Sequence, residues 1–104
     1  MSNNTYHIFF SNLSNPLRID IISALKGKNL SVSELAKILK VEQSKLSHAL
    51  SNLRECNIVN FNVKGKRRIY SLNKETILPI LNIIDKHARS YCKGKCSFCR
   101  ACSK

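Results

Sequence analysis

Acidic residues are scarce in this chain of 104 residues: six Asp and Glu stand against 18 Lys and Arg, for a formal charge of +12. The six (Asp20, Glu34, Glu42, Glu55, Glu75 and Asp85) are scattered singly and offer no paired carboxylates for acid–base chemistry. Glycine is scarcer still: Gly27, Gly65 and Gly94 are too few to build a phosphate-cradling loop. Long apolar runs are missing too. The longest, Ile77 to Ile84, is too short to span a bilayer and contains Pro79 and Asn82. The stretch Met1 to Phe10 has no basic n-region and no cleavage-like pattern, so no signal peptide is expected. These absences argue against an enzyme and against a membrane protein, and they set the expectation of a cytoplasmic chain.

What is present is an ordinary globular composition, 43% hydrophobic and 23% charged, at the size of one domain. The excess of positive charge calls for a polyanionic partner, nucleic acid before an anionic membrane.

Apolar spacing predicts the elements. Tyr6, Phe9, Phe10 and Leu13 recur at helical intervals, as do Leu17, Ile21 and Leu25 after the Asn15-Pro16 start signal. Gly27 is expected to end that second helix as a left-handed cap. Ser31-Val32-Ser33-Glu34 has the form of a capping box, opening a short helix that buries Leu35, Ile38 and Leu39. A tight connection at Lys40-Val41-Glu42 leads into a helix from about Gln43 to Cys56, with Leu46, Leu50 and Leu53 inward and Asn57 suited to the positive φ that ends it. Ile58 to Val63 and Arg68 to Leu72 form a hairpin around Lys64-Gly65-Lys66-Arg67, and Thr76 opens a last helix. The fold class is therefore mainly α with a small β-hairpin (α+β), a winged helix-turn-helix. Residues 1–91 form that domain and residues 92–104 a cysteine-rich tail.

Such a module places its second helix in the major groove of double-stranded DNA and its wing along phosphates. Gln43, Ser44, Lys45, Ser47, His48 and Ser51 occupy the outward face of that helix and are suited to base edges. Lys64, Lys66, Arg67 and Arg68 put four positive charges within five residues of the wing. Taken singly, a polar helix face is usually only solvated and a basic turn only a soluble loop. Their order on a strongly basic chain favours DNA.

Several runs carry a family resemblance: Leu13-Ser14-Asn15-Pro16-Leu17-Arg18-Ile19, Ser31 to Ala36, Ser47 to Val59, and the Gly65 wing ending Tyr70-Ser71-Leu72. Together they resemble the ArsR/SmtB repressors across residues 5–91. The resemblance implies a homodimer joined through the first and last helices, with Tyr6, Phe9, Phe10, Ile77, Ile80 and Ile84 at the interface, and release of operator DNA when an inducer binds. It also shows departures. The family pattern has His at Ala49 and Gly at Lys40 and Asn57. Ala36 and Ile38 stand where an arsenic-type site has cysteines. Of the zinc-type ligand positions on the last helix only His87 matches, with Lys74, Thr76 and Ser90 at the others.

The tail offers a different ligand set. Cys92, Cys96, Cys99 and Cys102 are spaced C-x-x-x-C-x-x-C-x-x-C among six positive side chains, which favour thiolates. Four thiolates suit Zn(II) or an iron–sulfur cluster; zinc is preferred as the commoner structural choice. Cys56 is expected to be a small buried thiol outside this site. The leading expectation is a repressor-like DNA-binding regulator whose cysteine cluster binds metal or an iron–sulfur cluster and senses metal or redox state. The alternatives are a constitutive DNA-binding protein with a structural zinc tail, and a small cluster-carrying electron-transfer protein.

Overall fold

The computed structural model describes residues 3–91, so the four tail cysteines at positions 92, 96, 99 and 102 lie outside the described residues. The elements run α1 (Asn3–Leu13), α2 (Pro16–Gly27), β1 (Leu30–Ser31), α3 (Val32–Leu39), α4 (Gln43–Glu55), β2 (Val59–Lys64), β3 (Arg67–Leu72) and α5 (Ile77–Tyr91). Residues up to Asn73 make one compact unit, and the chain from Lys74 onward belongs to a second.

Local chemistry sets the helix starts. Asn15 caps α2, its side-chain oxygen accepting the Arg18 amide at 3.2 Å, with Pro16 in the first turn, where a missing N–H costs nothing. At α3 the capping box is complete: Ser31 Oγ accepts the Glu34 amide at 3.2 Å and Glu34 Oε1 accepts the Ser31 amide at 3.0 Å. That ion-to-amide bond, foremost, holds the Glu34 carboxyl below its ordinary range.

Both helices of the helix-turn-helix end on left-handed residues that are not glycine. Lys40 follows α3 at φ 56°, and Asn57 follows α4 at φ 59°. After α4 the Asn57 amide donates to Arg54 O at 3.0 Å and the Ile58 amide to Leu53 O at 2.9 Å, the paired bonds of a Schellman motif. Asn73 Nδ2 locks the turn by donating to Asn57 O at 2.8 Å. Gly27, by contrast, is not left-handed. It remains within α2, and extended Lys28 (φ −167°) ends that helix instead.

The sheet has the order β1-β3-β2 and is antiparallel throughout. Its short third strand, β1, pairs Leu30 with Tyr70 and Ser31 with Ile69. Two residues carry too little alternation to announce a strand. The wing turn is the two-residue loop Gly65-Lys66, closed by the Lys64–Arg67 pair. Gly65 has φ +63° and Lys66 does not share the positive φ, the pattern of a type II′ turn.

Ile21, Leu25, Leu30, Leu35, Leu46, Leu50, Leu53, Ile58 and Val59 form the core of the first unit. Each such fully buried aliphatic contributes about 1.5–3 kcal/mol relative to exposure. Ile38 does not join them: it is 54% exposed, because the eight-residue α3 turns only Leu35 fully inward.

Candidate nucleic-acid interface

Helix α4 is divided lengthwise. Leu46, Ala49, Leu50 and Leu53 are buried along one stripe, so the opposite stripe faces solvent. Gln43, Ser44, Lys45, Ser47, His48 and Ser51 are all exposed there. The family's His position, filled by Ala49, lies on the buried side, where a small apolar residue packs without a polar group to satisfy.

The hairpin register redistributes the wing charges. Phe61 opposes Tyr70 and Val63 opposes Arg68, so these four share one face. Lys64 and Arg67 form the last pair and belong to the other face, while Lys66 sits at the tip. The wing is thus basic on both faces and at its end, not along a single strip. All four cations are exposed.

An open cleft joins wing to helices. Lys66, Arg67 and Arg68 line it on one side; Gln43 and Ser47 of α4 line the other, with Ser31, Val32 and Ser33 at the start of α3. The first amides of a helix carry partial positive charge, so this cleft gathers backbone donors, hydroxyls and three cations around one space. Its chemistry suits a phosphodiester backbone.

Two residues near this surface, Arg54 and Phe61, escape a reading of the sequence. Arg54, in the last turn of α4, has its guanidinium carbon 4.4 Å from the centre of the Phe61 ring, and Arg68 has its own at 4.8 Å. Tyr70 lies beside them, ring to ring with Phe61 at 5.4 Å. The only prior signal is the stripe Ser44, Ser47, Ser51, Arg54, stepping by three, four and three residues along one helix face.

Cys56 is exposed and free, not buried as its size suggests. It follows the last turn of α4, and its sulfur accepts from Asn12 Nδ2 at 3.1 Å, while Asn12 Oδ1 accepts from Arg18 Nη1 at 2.8 Å. Among the described residues no group of three or more His, Cys, Asp or Glu could hold a metal ion. His87 instead packs on Tyr91, with ring centres 5.0 Å apart.

The residues expected at a dimer interface differ in exposure. Tyr6 (55%), Phe10 (61%) and Ile84 (50%) are exposed, Phe9 and Ile80 are half-buried, and Ile77 is already buried within one chain. Ile8 and Ile83, which the spacing did not single out, are exposed as well. No helix among the described residues is long and apolar enough to cross a membrane.

Comparison with known proteins agrees with this geometry. The family profile described as "Bacterial regulatory protein, arsR family" matches residues 15–60, from the cap of α2 into β2. A transcriptional repressor SmtB homolog of Synechocystis is 34% identical over 79 residues, covering 76% of this chain but 60% of that protein, so the match spans less than two thirds of its length. The transcriptional repressor SdpR of Bacillus subtilis is 30% identical over 81 residues, 74% of this chain and 90% of the repressor. Among solved structures, Rv0081 of M. tuberculosis superposes with a TM-score of 0.74 at 32% identity, covering 85% of this chain and 92% of that one. With its capped helix-turn-helix, basic wing and shared sequence, the chain belongs to the ArsR family of bacterial regulatory proteins, a family of DNA-binding winged-helix regulators and not of enzymes.

Proposed function

We propose that this protein is a homodimeric, repressor-like transcription regulator that reads DNA with α4, grips it with the wing, and carries a metal or cluster site in its tail. The observation that carries the DNA reading is the cleft in which Lys66, Arg67 and Arg68 face Gln43, Ser47 and the start of α3. In this reading Gln43, Ser44, Lys45, Ser47, His48 and Ser51 approach base edges, while Lys64, Lys66, Arg67 and Arg68 hold phosphates. Supporting the dimer are the exposed apolar side chains Tyr6, Phe10, Ile83 and Ile84, more than one chain covers by itself.

The tail reading rests on donor chemistry. Cys92, Cys96, Cys99 and Cys102 supply four soft thiolate donors, fitting tetrahedral Zn(II) or an iron–sulfur cluster, with zinc preferred. Binding releases thiol protons, so occupancy depends on pH. For the cluster to act as a sensor, loaded and empty proteins must differ in DNA affinity; tight metal binding alone shifts nothing.

One set of measurements tests both parts. A duplex is selected from a random pool by the wild-type protein and titrated against it over a salt series. Changing Lys64, Lys66, Arg67 and Arg68 together to Gln flattens the log–log salt slope by about 0.9 per lost phosphate contact. An unchanged slope removes the wing from the interface. Anaerobic purification with zinc, iron and sulfide analysis gives one metal or cluster equivalent per chain, lost in Cys96→Ser or Cys99→Ser. Affinity differing about tenfold between loaded and empty forms makes the tail a sensor. Equal affinity makes it a structural staple.

A further inference from the structure

Phe61 carries two cations. The guanidiniums of Arg54 and Arg68 both lie within five ångströms of its ring centre, one from the last turn of α4 and the other from β3 of the wing. Phe61 is half-buried and both arginines are exposed, so the ring is anchored while the charges remain at the surface. The register explains the approach. Phe61 pairs with Tyr70, Arg68 lies two residues before Tyr70 on the same face, and Tyr70 is itself buried with its ring tilted against that of Phe61.

Two like charges gathered on one ring repel each other, and the negative face of the ring offsets this only in part. An anion set against the pair removes the remaining repulsion. A phosphodiester is the fitting anion, since guanidinium forks match phosphate oxygens in two parallel bonds. Position supports the same occupant, because Arg54 completes the exposed stripe of Ser44, Ser47 and Ser51 along α4.

We propose that Phe61 is a positioning residue for DNA: it holds Arg54 and Arg68 as one phosphate-binding pair that bridges the end of α4 to the wing. The proposal rests on the reading of α4 and the wing as the DNA interface, and it adds Arg54 as a contact and Phe61 as the part that aims both. An arginine near a helix C-terminus also complements the helix dipole, a role that stabilises the fold without touching DNA. The two roles give different results.

The test uses the full chain, the wild-type-selected duplex and a scrambled duplex, titrated across a salt series. Arg54→Gln weakens binding to both duplexes and flattens the salt slope by about 0.9. Phe61→Leu leaves every charge in place, yet it weakens binding about threefold and also flattens the slope, because the pair is no longer aimed. Phe61→Tyr restores both values. In the Phe61→Leu background, Arg54→Gln costs less than it does alone.

Thermal unfolding of each variant accompanies the titrations, and Arg54→Gln, an exposed change, keeps the test decisive if Phe61→Leu fails to fold. Should Arg54→Gln lower stability but leave affinity and slope unchanged, the proposal is overturned while the wing assignment stands. Equal results for Phe61→Leu and Phe61→Tyr overturn the positioning role as well. If the wild-type chain shows no salt-dependent DNA binding at all, it is the broader reading that fails.

Discussion

The segment from α2 to β3 and the two outer helices α1 and α5 spend their apolar residues in opposite ways. From Ile21 to Leu72 the chain buries thirteen apolar side chains, and only Ile38 and Val63 stand exposed among its large ones. Among the described side chains of α1 and α5 only Ile77 is buried, while Tyr6, Ile8, Phe10, Ile83, Ile84 and Tyr91 stand at least half exposed. Similar residue types therefore do two jobs. In the first region they make one chain fold; in the second they are left for something outside it, which the proposed homodimer supplies.

Large substitutions separate the two regions most clearly. Leu50→Ala, in the α4 core, should cost about 2–5 kcal/mol, seen in chemical denaturation as a loss independent of protein concentration. Phe10→Glu or Ile84→Glu should convert the dimer to monomer in sedimentation, and the wild-type melting temperature should rise with concentration while theirs does not. A wild-type monomer at micromolar concentration would erase the distinction between the regions.

The next effect lies within α4 itself, where one stripe is buried in the core and the other, on the proposed function, contacts DNA. Gln43→Ala or His48→Ala should leave unfolding unchanged and lower preference for the selected duplex by about 1–3 kcal/mol. Equal losses on selected and scrambled duplexes would show that this stripe touches no bases.

Smaller again is the cap of α3. Ser31→Ala should cost about 0.5–2 kcal/mol of stability. Glu34 adds a pH dependence of known sign. Its folded-state pKa is lowered, chiefly by the Ser31 amide, so its contribution is full above the ordinary carboxylate range and fades as pH falls through the lower folded value. Glu34→Gln keeps an acceptor at that position and should remove the acid-side loss, read from melting temperature between about pH 6 and 3.

The smallest change is at Lys40, which adopts φ 56° with a side chain that disfavours it. Lys40→Gly should raise stability by up to about 1 kcal/mol, the strain relieved being partly offset by the freer unfolded chain.

What the sequence discloses follows from how local each feature is. The Asn15 cap, the Ser31–Glu34 box and the left-handed Asn57 each depend on bonds within a few residues, so residue types alone signal them. The exposed stripe of α4 is legible for the same reason, since helical period places Ser44, His48 and Ser51 opposite Leu46, Leu50 and Leu53. Gly27 misleads because composition permits a left-handed cap without requiring one. The Phe61 pair stays hidden because it needs the hairpin register and the approach of α4, neither of which is local. Cys56 is the same kind of miss: the Asn12 amide that donates to its sulfur comes from α1, 44 residues earlier in the chain.

The two backbone reversals that bracket α4 have a consequence for how this protein can change. Between Lys40 and Asn57, the buried stripe of Leu46, Ala49, Leu50 and Leu53 fixes the helix in rotational phase. One inserted residue would turn everything beyond it by about 100°, carrying the exposed stripe toward the core and Leu50 or Leu53 toward solvent. Substitution at Gln43, Ser47 or Ser51 disturbs neither reversal and no buried contact. If the proposed function holds, new DNA targets are therefore reachable by exchanging letters along a helix of constant length, whereas an insertion or deletion there breaks the core.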